Sequence, residues 1–154
     1  MLTVRTGYAI LALACLHGRE GQWVQVRDIA DCTHTPKPYL HKILHALGRS
    51  GLIRSKRGYR GGISLSRPSA QITLMDVAEA VEGRSWTKRC LLGLEECSDE
   101  RACPIHEFWS AQKKQIEAKL KQTTLADVAA QESKKEGRLN NIADLSKYIP
   151  RPWT

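Results

Sequence analysis

Residues 26–66 read VRDIADCTHTPKPYLHKILHALGRSGLIRSKRGYRGGISLS. Val26, Ile29 and Ala30 fall on one face of a short helix over 26–31. Thr33-His34-Thr35-Pro36 interrupts it. Thr35 is a residue that caps a helix, and Pro36 suits a first helical position, so a second helix is expected to begin here. Tyr39, Leu40, Ile43, Leu44 and Leu47 recur at spacings of three and four, which carries that helix to about Ser50, where Gly51 supplies a left-handed stop. Two short strands follow, 52–55 and 63–66, the second alternating apolar and polar. The loop between them, Lys56-Arg57-Gly58-Tyr59-Arg60-Gly61-Gly62, is basic and rich in glycine. Helix, turn, helix, then a hairpin with a basic tip is the order of a winged helix-turn-helix.

Outward from this stretch the pattern is mainly α with a small β-wing. Residues 6–18 form an almost wholly apolar helix in which Tyr8 is a core aromatic. Trp23-Val24 is expected to add a short strand. Thr73 caps a helix over 74–81 that carries Asp76 in its first turn, and residues 84–103 are irregular. A long amphipathic helix is expected over 104–122, with Ile105, Phe108, Trp109, Ile116 and Leu120 as its stripe, and a short helix over 125–130 begins after Thr124. The chain divides into a winged helix-turn-helix at 1–70, a cysteine-bearing loop and long helix at 71–130, and a polar C-terminal tail at 131–154 expected to be flexible.

The net charge of +8 is unevenly spread. Residues 1–70 hold 11 Lys/Arg against 3 Asp/Glu, residues 71–131 hold 8 against 10, and residues 132–154 hold 5 against 3. The surplus therefore lies with the winged segment. A concentrated basic face suits phosphate binding, where counterion release drives association, although charge alone is equally consistent with a solvated surface. No apolar run is long enough for a transmembrane helix, and the start of the chain lacks the order of a signal peptide, so a cytoplasmic protein that neither enters a membrane nor takes a small-molecule substrate is expected. Double-stranded DNA is the expected partner. Lys37, Pro38, His41 and Lys42, with His45, are the expected exposed residues of the second helix, and Lys56, Arg57 and Arg60 those of the wing tip. Lys37 and Lys42 reach phosphates or guanine edges, His41 donates or accepts, Pro38 offers shape alone, and arginines on a glycine loop suit a minor groove. No phosphate loop, paired-carboxylate motif or Cys/His/Asp set supports an enzyme.

Five cysteines divide into two groups. Cys15 and Cys32 are isolated in the apolar half and read as small buried hydrophobes. Cys90, Cys97 and Cys103 follow C-x6-C-x5-C, with His106 three residues beyond the last. Soft thiolates beside an imidazole suit an iron–sulfur cluster or zinc, and an irregular loop is free to wrap a metal. Cys103 and His106 are expected on one face at the start of the long helix, where the helix N-terminus favours thiolate. Structural zinc, or a metal-free thiol redox switch, remains open on these residues.

Residues 1 to about 130 resemble the iron–sulfur regulators that include the IscR-like, NsrR-like and RirA-like repressors. The resemblance rests on Tyr8-Ala9, Tyr39-Leu40, the Leu52-Ile53…Arg57-Gly58…Gly61-Gly62 wing, the three cysteines, and Cys103-Pro-Ile-His106-Glu-Phe-Trp109. It implies a transcription regulator, typically a repressor sensing redox state, nitric oxide or iron–sulfur status. It also implies a homodimer built on the long helix, and a cluster held by Cys90, Cys97, Cys103 and a fourth ligand. IscR-like members hold [2Fe-2S] with a histidine in the place of His106. NsrR-like members hold [4Fe-4S] and can draw on an aspartate just before the Tyr-Ala pair, where this chain has Gly7, so [2Fe-2S] is favoured over [4Fe-4S]. Two departures bear on cluster type and operator class: the first cysteine gap is six residues rather than five, and the wing reads Gly58-Tyr59-Arg60-Gly61-Gly62 rather than glycine-proline-glycine-glycine.

Overall fold

The structure is a computed structural model that describes residues 2–93, 97–101 and 103–133. Six α-helices and one β-hairpin appear among the described residues: α1 (Val4–Ala14), α2 (Val26–Thr33), α3 (Lys37–Arg49), β1 (Ile53–Lys56), β2 (Gly62–Leu65), α4 (Leu74–Glu82), α5 (His106–Gln122) and α6 (Leu125–Ser133). Of the expected 131–154 tail, residues 131–133 continue α6, and the remainder lies outside the described residues.

Helix α1 is the centre. Tyr8, Ala9, Leu11, Ala12, Leu13 and Ala14 are all buried, so little of its surface is left for water. A helix apolar nearly all round has to be surrounded, and α1 packs against α2, α3, α4 and α6. One continuous core joins Tyr8, Leu13, Ile29, Leu40 and Leu47 from the first half of the chain to Ile72, Val77, Val81 and Leu125 from the second. Tyr8 meets Tyr39 edge to face at 5.9 Å, beyond the simple core packing expected of it.

The hairpin is antiparallel, with Ile53 opposite Leu65 and Lys56 opposite Gly62. Both strands lie one residue from their expected limits. Of Trp23-Val24 only Val24 pairs, in a single bridge to Ile63. In the turn before α3, Pro36 rather than Thr35 is the capping position and Pro38 sits in the first helical turn. The Thr35 hydroxyl instead donates back to the Thr33 carbonyl, because His34 adopts φ +49° and carries the chain sharply away from α2. Helix α1 likewise starts and stops earlier than expected, since Cys15 closes it and the residues up to Gly18 form further turns.

Two near-identical capping boxes align the helices of the second half. In one, the Asp76 amide donates to the Thr73 hydroxyl and Asp76 accepts from the Thr73 amide; in the other, Thr124 and Asp127 repeat the exchange. The two caps lie side by side, joined by Leu74 N to Thr123 O and Leu125 N to Ile72 O, both 2.9 Å. Arg67 adds a 3.0 Å ion pair to Asp76.

The start of α1 is tied to the end of α4. The Thr3 amide and hydroxyl and the Thr6 hydroxyl all donate to Glu82 Oε1. Burial opposes ionisation of Glu82, but the three hydrogen bonds together outweigh it and hold its carboxyl below the usual range. A lowered folded value means that the Glu82 contribution is fully present above its unfolded pKa near 4.5 and is lost as pH falls through the folded one. Glu82→Gln is expected to cost about 1 kcal/mol at pH 7, a figure already reduced for its partial exposure. In urea denaturation the cost should shrink as pH drops below 4.5. A cost independent of pH would show that the carboxylate is not what holds α1.

Candidate functional site

Helix α3 turns Leu40, Ile43, Leu44 and Leu47 inward and leaves Lys37, Pro38, His41, Lys42 and His45 exposed. A groove of about 600 Å³ runs beside it, with His41, His45 and Arg49 on one wall and Ile53, Ser55 and Ile63 of the hairpin on the other. The wing stands at its far end, where Lys56, Arg57 and Arg60 are all exposed.

Glycine sets the shape of that wing by close approach. A Cβ on Gly61 would lie 2.1 Å from the Lys56 carbonyl oxygen, and one on Gly62 2.4 Å from that of Val24. Gly62 also has φ +147°. With no side chain in the way, the Gln25 Nε2 donates to the Gly61 carbonyl at 2.6 Å and braces the loop from below. The Trp23 ring lies beneath the cations of Arg54 and Lys56, 5.9 and 6.0 Å from its centroid. Each such contact contributes about 0.5–1 kcal/mol at an exposed site. The wing is thus a propped basic loop, and Tyr59 projects from its tip 98 % exposed.

The cysteine segment is anchored at several points. The Cys97 amide donates to the Lys88 carbonyl at 3.1 Å, which draws Cys97 back toward the start of the segment that carries Cys90. Trp109 Nε1 donates to the Arg89 carbonyl at 3.2 Å and ties α5 to the same place. Trp86, buried against Met75 and Ala78 with Leu120 packed on them, holds the base of the segment on α4 and α5.

Within it, Cys97 Sγ lies 3.2 Å from Nδ1 of the buried His106, whose Nε2 lies 2.8 Å from Asp99 Oδ1. A carboxylate only accepts, so Nε2 carries a proton. In the neutral ring Nδ1 then accepts from the Cys97 thiol, and in the charged ring it donates to the thiolate. These three side chains thus come together across the gap from 97 to 106, a juxtaposition that their spacing does not reveal.

Cys103 lies outside α5, because the helix begins at His106 rather than Pro104. The two residues meet through a turn, His106 N to Cys103 O at 2.9 Å, and not on one helical face. Cys90, Cys97 and Cys103 are free thiols and half-buried. Among the described residues no three His, Cys, Asp or Glu side chains stand in metal-holding geometry.

Cys15 and Cys32 are a second correction. They are half-buried, not core hydrophobes, and they are bonded to each other as a disulfide between the end of α1 and the last turn of α2. The spacing of 17 residues carries no sign of this; only the packing of α1 on α2 brings the two together. A further cluster joins Ser69, which donates to Glu20 at 2.7 Å, with His17 Nδ1 at 2.8 Å from the same hydroxyl. Since the serine proton goes to the carboxylate, His17 is left to donate, and the group latches the chain after α1 to the segment before α4 rather than activating a nucleophile.

Residues 2–131 match the family model for Rrf2, described as an iron-dependent transcriptional regulator. The chain belongs to the Rrf2 family. A protein of Aquifex aeolicus, provisionally called an HTH-type transcriptional regulator, is 36 % identical over 134 residues, covering 86 % of this chain and 92 % of its own. The HTH-type transcriptional regulator IscR of Serratia proteamaculans is 31 % identical over 129 residues, covering 82 % and 77 %.

Among solved structures, IscR of T. potens superposes with a TM-score of 0.68 at 25 % identity, covering 90 % of this chain and 93 % of that one. The global cysteine regulator CymR of B. subtilis gives 0.69 at 24 %, covering 85 % and 97 %, a likeness of fold alone. This Rrf2 protein is therefore a winged-helix transcriptional regulator and not an enzyme. No helix among its described residues is long and apolar enough to cross a membrane.

Gln25 and Asp99 are the supporting residues that the sequence did not flag. Neither belongs to a periodic or spaced pattern, and each acts through a partner far along the chain or across an irregular loop. Tyr59 was visible as the residue replacing proline in the wing, but its full exposure was not.

Proposed function

We propose that this Rrf2 regulator reads operator DNA with α3 and the wing, and that an iron–sulfur cluster held by Cys90, Cys97, Cys103 and His106 controls that reading. What supports the sensing half is the donor set within residues 90–106. Three free thiols and a buried imidazole sit on chain pinned to Lys88, Arg89 and α5. That donor set fits the group: thiolates suit iron, and a histidine can replace one of them. When bound, a [2Fe-2S] centre, or [4Fe-4S] as the alternative, supplies sensitivity to oxidation, to nitric oxide and to iron supply.

The protein's own part is mechanical. Cys97 and Cys103 flank Asp99, and His106 opens α5, so holding the four ligands together orders residues 90–106 and the start of the helix. Coupling of about 1–3 kcal/mol between that ordering and α3 suffices to switch an operator. The protein acts in the cytoplasm, as a repressor and as a homodimer. Phe108, 61 % exposed, and Ile116 stand eight residues apart on α5, and Leu92 in the cysteine segment is 62 % exposed. This is apolar surface that a second copy would cover. Lys37, Pro38, His41 and Lys42 then face the major groove of each half-site, and Lys56, Arg57 and Arg60 its flank. A second reading, a metal-free thiol switch, is favoured by the Cys97–His106–Asp99 line, which gives the Cys97 sulfur an imidazole partner at 3.2 Å without any metal.

Anaerobically purified wild type is expected to be brown, and Cys97→Ala to lose the visible absorption and to change affinity for a duplex selected by the full-length protein from a random pool. A colourless wild type with bound zinc, or Cys97→Ala binding as the coloured protein does, overturns the cluster reading. Arg57→Ala with Arg60→Ala should weaken binding to that duplex about tenfold and lower the salt slope by about 2; an unchanged slope removes the wing from the interface. Sedimentation should find wild type as a dimer and Phe108→Glu with Ile116→Glu as a monomer of native helix content, and a dimeric double variant places the interface elsewhere.

A further inference from the structure

The Cys15–Cys32 disulfide lies in the reading head, apart from the three clustered thiols. We infer that Cys15 and Cys32 form a reversible redox-modification site, a dithiol that closes under oxidant and stiffens the helix-turn-helix and wing as one piece. This goes beyond the cluster proposal and uses none of its residues.

Position is the first argument. Cys15 closes α1, the helix on which the core is built, and Cys32 sits in the last turn of α2. Two residues after Cys32, His34 makes the left-handed turn that launches α3. The stretch enclosed by the bond also contains Val24, which bridges Ile63 of the wing, and Gln25, which braces Gly61. One covalent link therefore fastens both supports of the DNA-reading surface, the turn before α3 and the prop beneath the wing, to α1.

Access is the second argument. Both cysteines are partly exposed, although Ala12, Ile29 and Thr33 around them in sequence are fully buried. The bond therefore lies at the margin of the core rather than within it. Environment is the third. A transcription regulator works where its DNA is, and in a thiol-reducing compartment a disulfide is characteristically transient and redox-sensing rather than a permanent staple.

The chemistry balances with a hydroperoxide as oxidant. One thiol gives its sulfenic acid as peroxide is reduced to a first water, and the second thiol displaces the hydroxyl as a second water, leaving the S–S bond. A dithiol reductant reverses it by exchange, regaining two thiols as its own pair is oxidised. Closing a loop of 17 residues removes freedom mainly from the unfolded and loosened states, so the linked head is the stiffer one.

The test uses the full-length protein, reduced and then treated with hydrogen peroxide, with free thiols trapped by N-ethylmaleimide before mass spectrometry. A linked Cys15–Cys32 peptide is expected, restored to two alkylated peptides by dithiothreitol. The linked wild type should melt about 5–10 °C above its own reduced form and bind the selected duplex at least threefold more tightly. Cys15→Ser with Cys32→Ser, treated identically, should show neither difference and so subtracts any oxidation of the clustered thiols. Linkage and melting need no cluster and no DNA, so they stand or fall independently of the function proposed above. Separate alkylation of Cys15 and Cys32 after peroxide overturns the inference. So does a linked protein that melts and binds as the reduced one does, or a double variant that keeps the wild-type differences.

Discussion

Helix α1 has almost no polar face. Its buried residues run from Thr6 to Ala14, and such a helix is stable only with neighbours on every side. The rest of the chain supplies them: α2 and α3 from the reading head, α4 and α6 from the second half. The core consequently runs without a break from Leu40 and Leu47 to Val77 and Leu125. Burying one helix thereby makes the DNA-reading half and the cysteine-bearing half parts of a single packed body.

The basic surface depends on that core in a second way. Leu40, Ile43, Leu44 and Leu47 fix the rotation of α3, so Lys37, His41 and Lys42 have no choice but to face outward. The wing has no core of its own. It is held by the Val24 bridge, by Gln25 beneath Gly61, and by the Trp23 ring under Arg54 and Lys56. Positive charges crowded on one loop repel one another, and an aromatic face together with exposure to water relieves that repulsion without removing the field that attracts phosphate.

The cysteine segment is built on a different plan. Among its described residues it has little regular structure, and hydrogen bonds to the Lys88 and Arg89 carbonyls and the buried His106 anchor it.

The amino-acid sequence by itself determined the helix-turn-helix and hairpin order, the outward face of α3, the basic wing and the clustered thiols. Each of these rests on local periodicity, turn chemistry or composition, and those signals act over a few residues. Element limits slipped by one to four residues where a turn competed with a helix, as at Gly18, Pro36 and Pro104. The tertiary structure alone decided the pairing of Cys15 with Cys32, the alignment of the Thr73 and Thr124 caps, the Gln25 brace, and the approach of Cys97 and Asp99 to His106. None of these pairs has a spacing that means anything along the chain. Cys15 and Cys32 and the two caps meet because the helices packed around α1 carry them there, whereas Cys97, Asp99 and His106 meet across an irregular loop before α5.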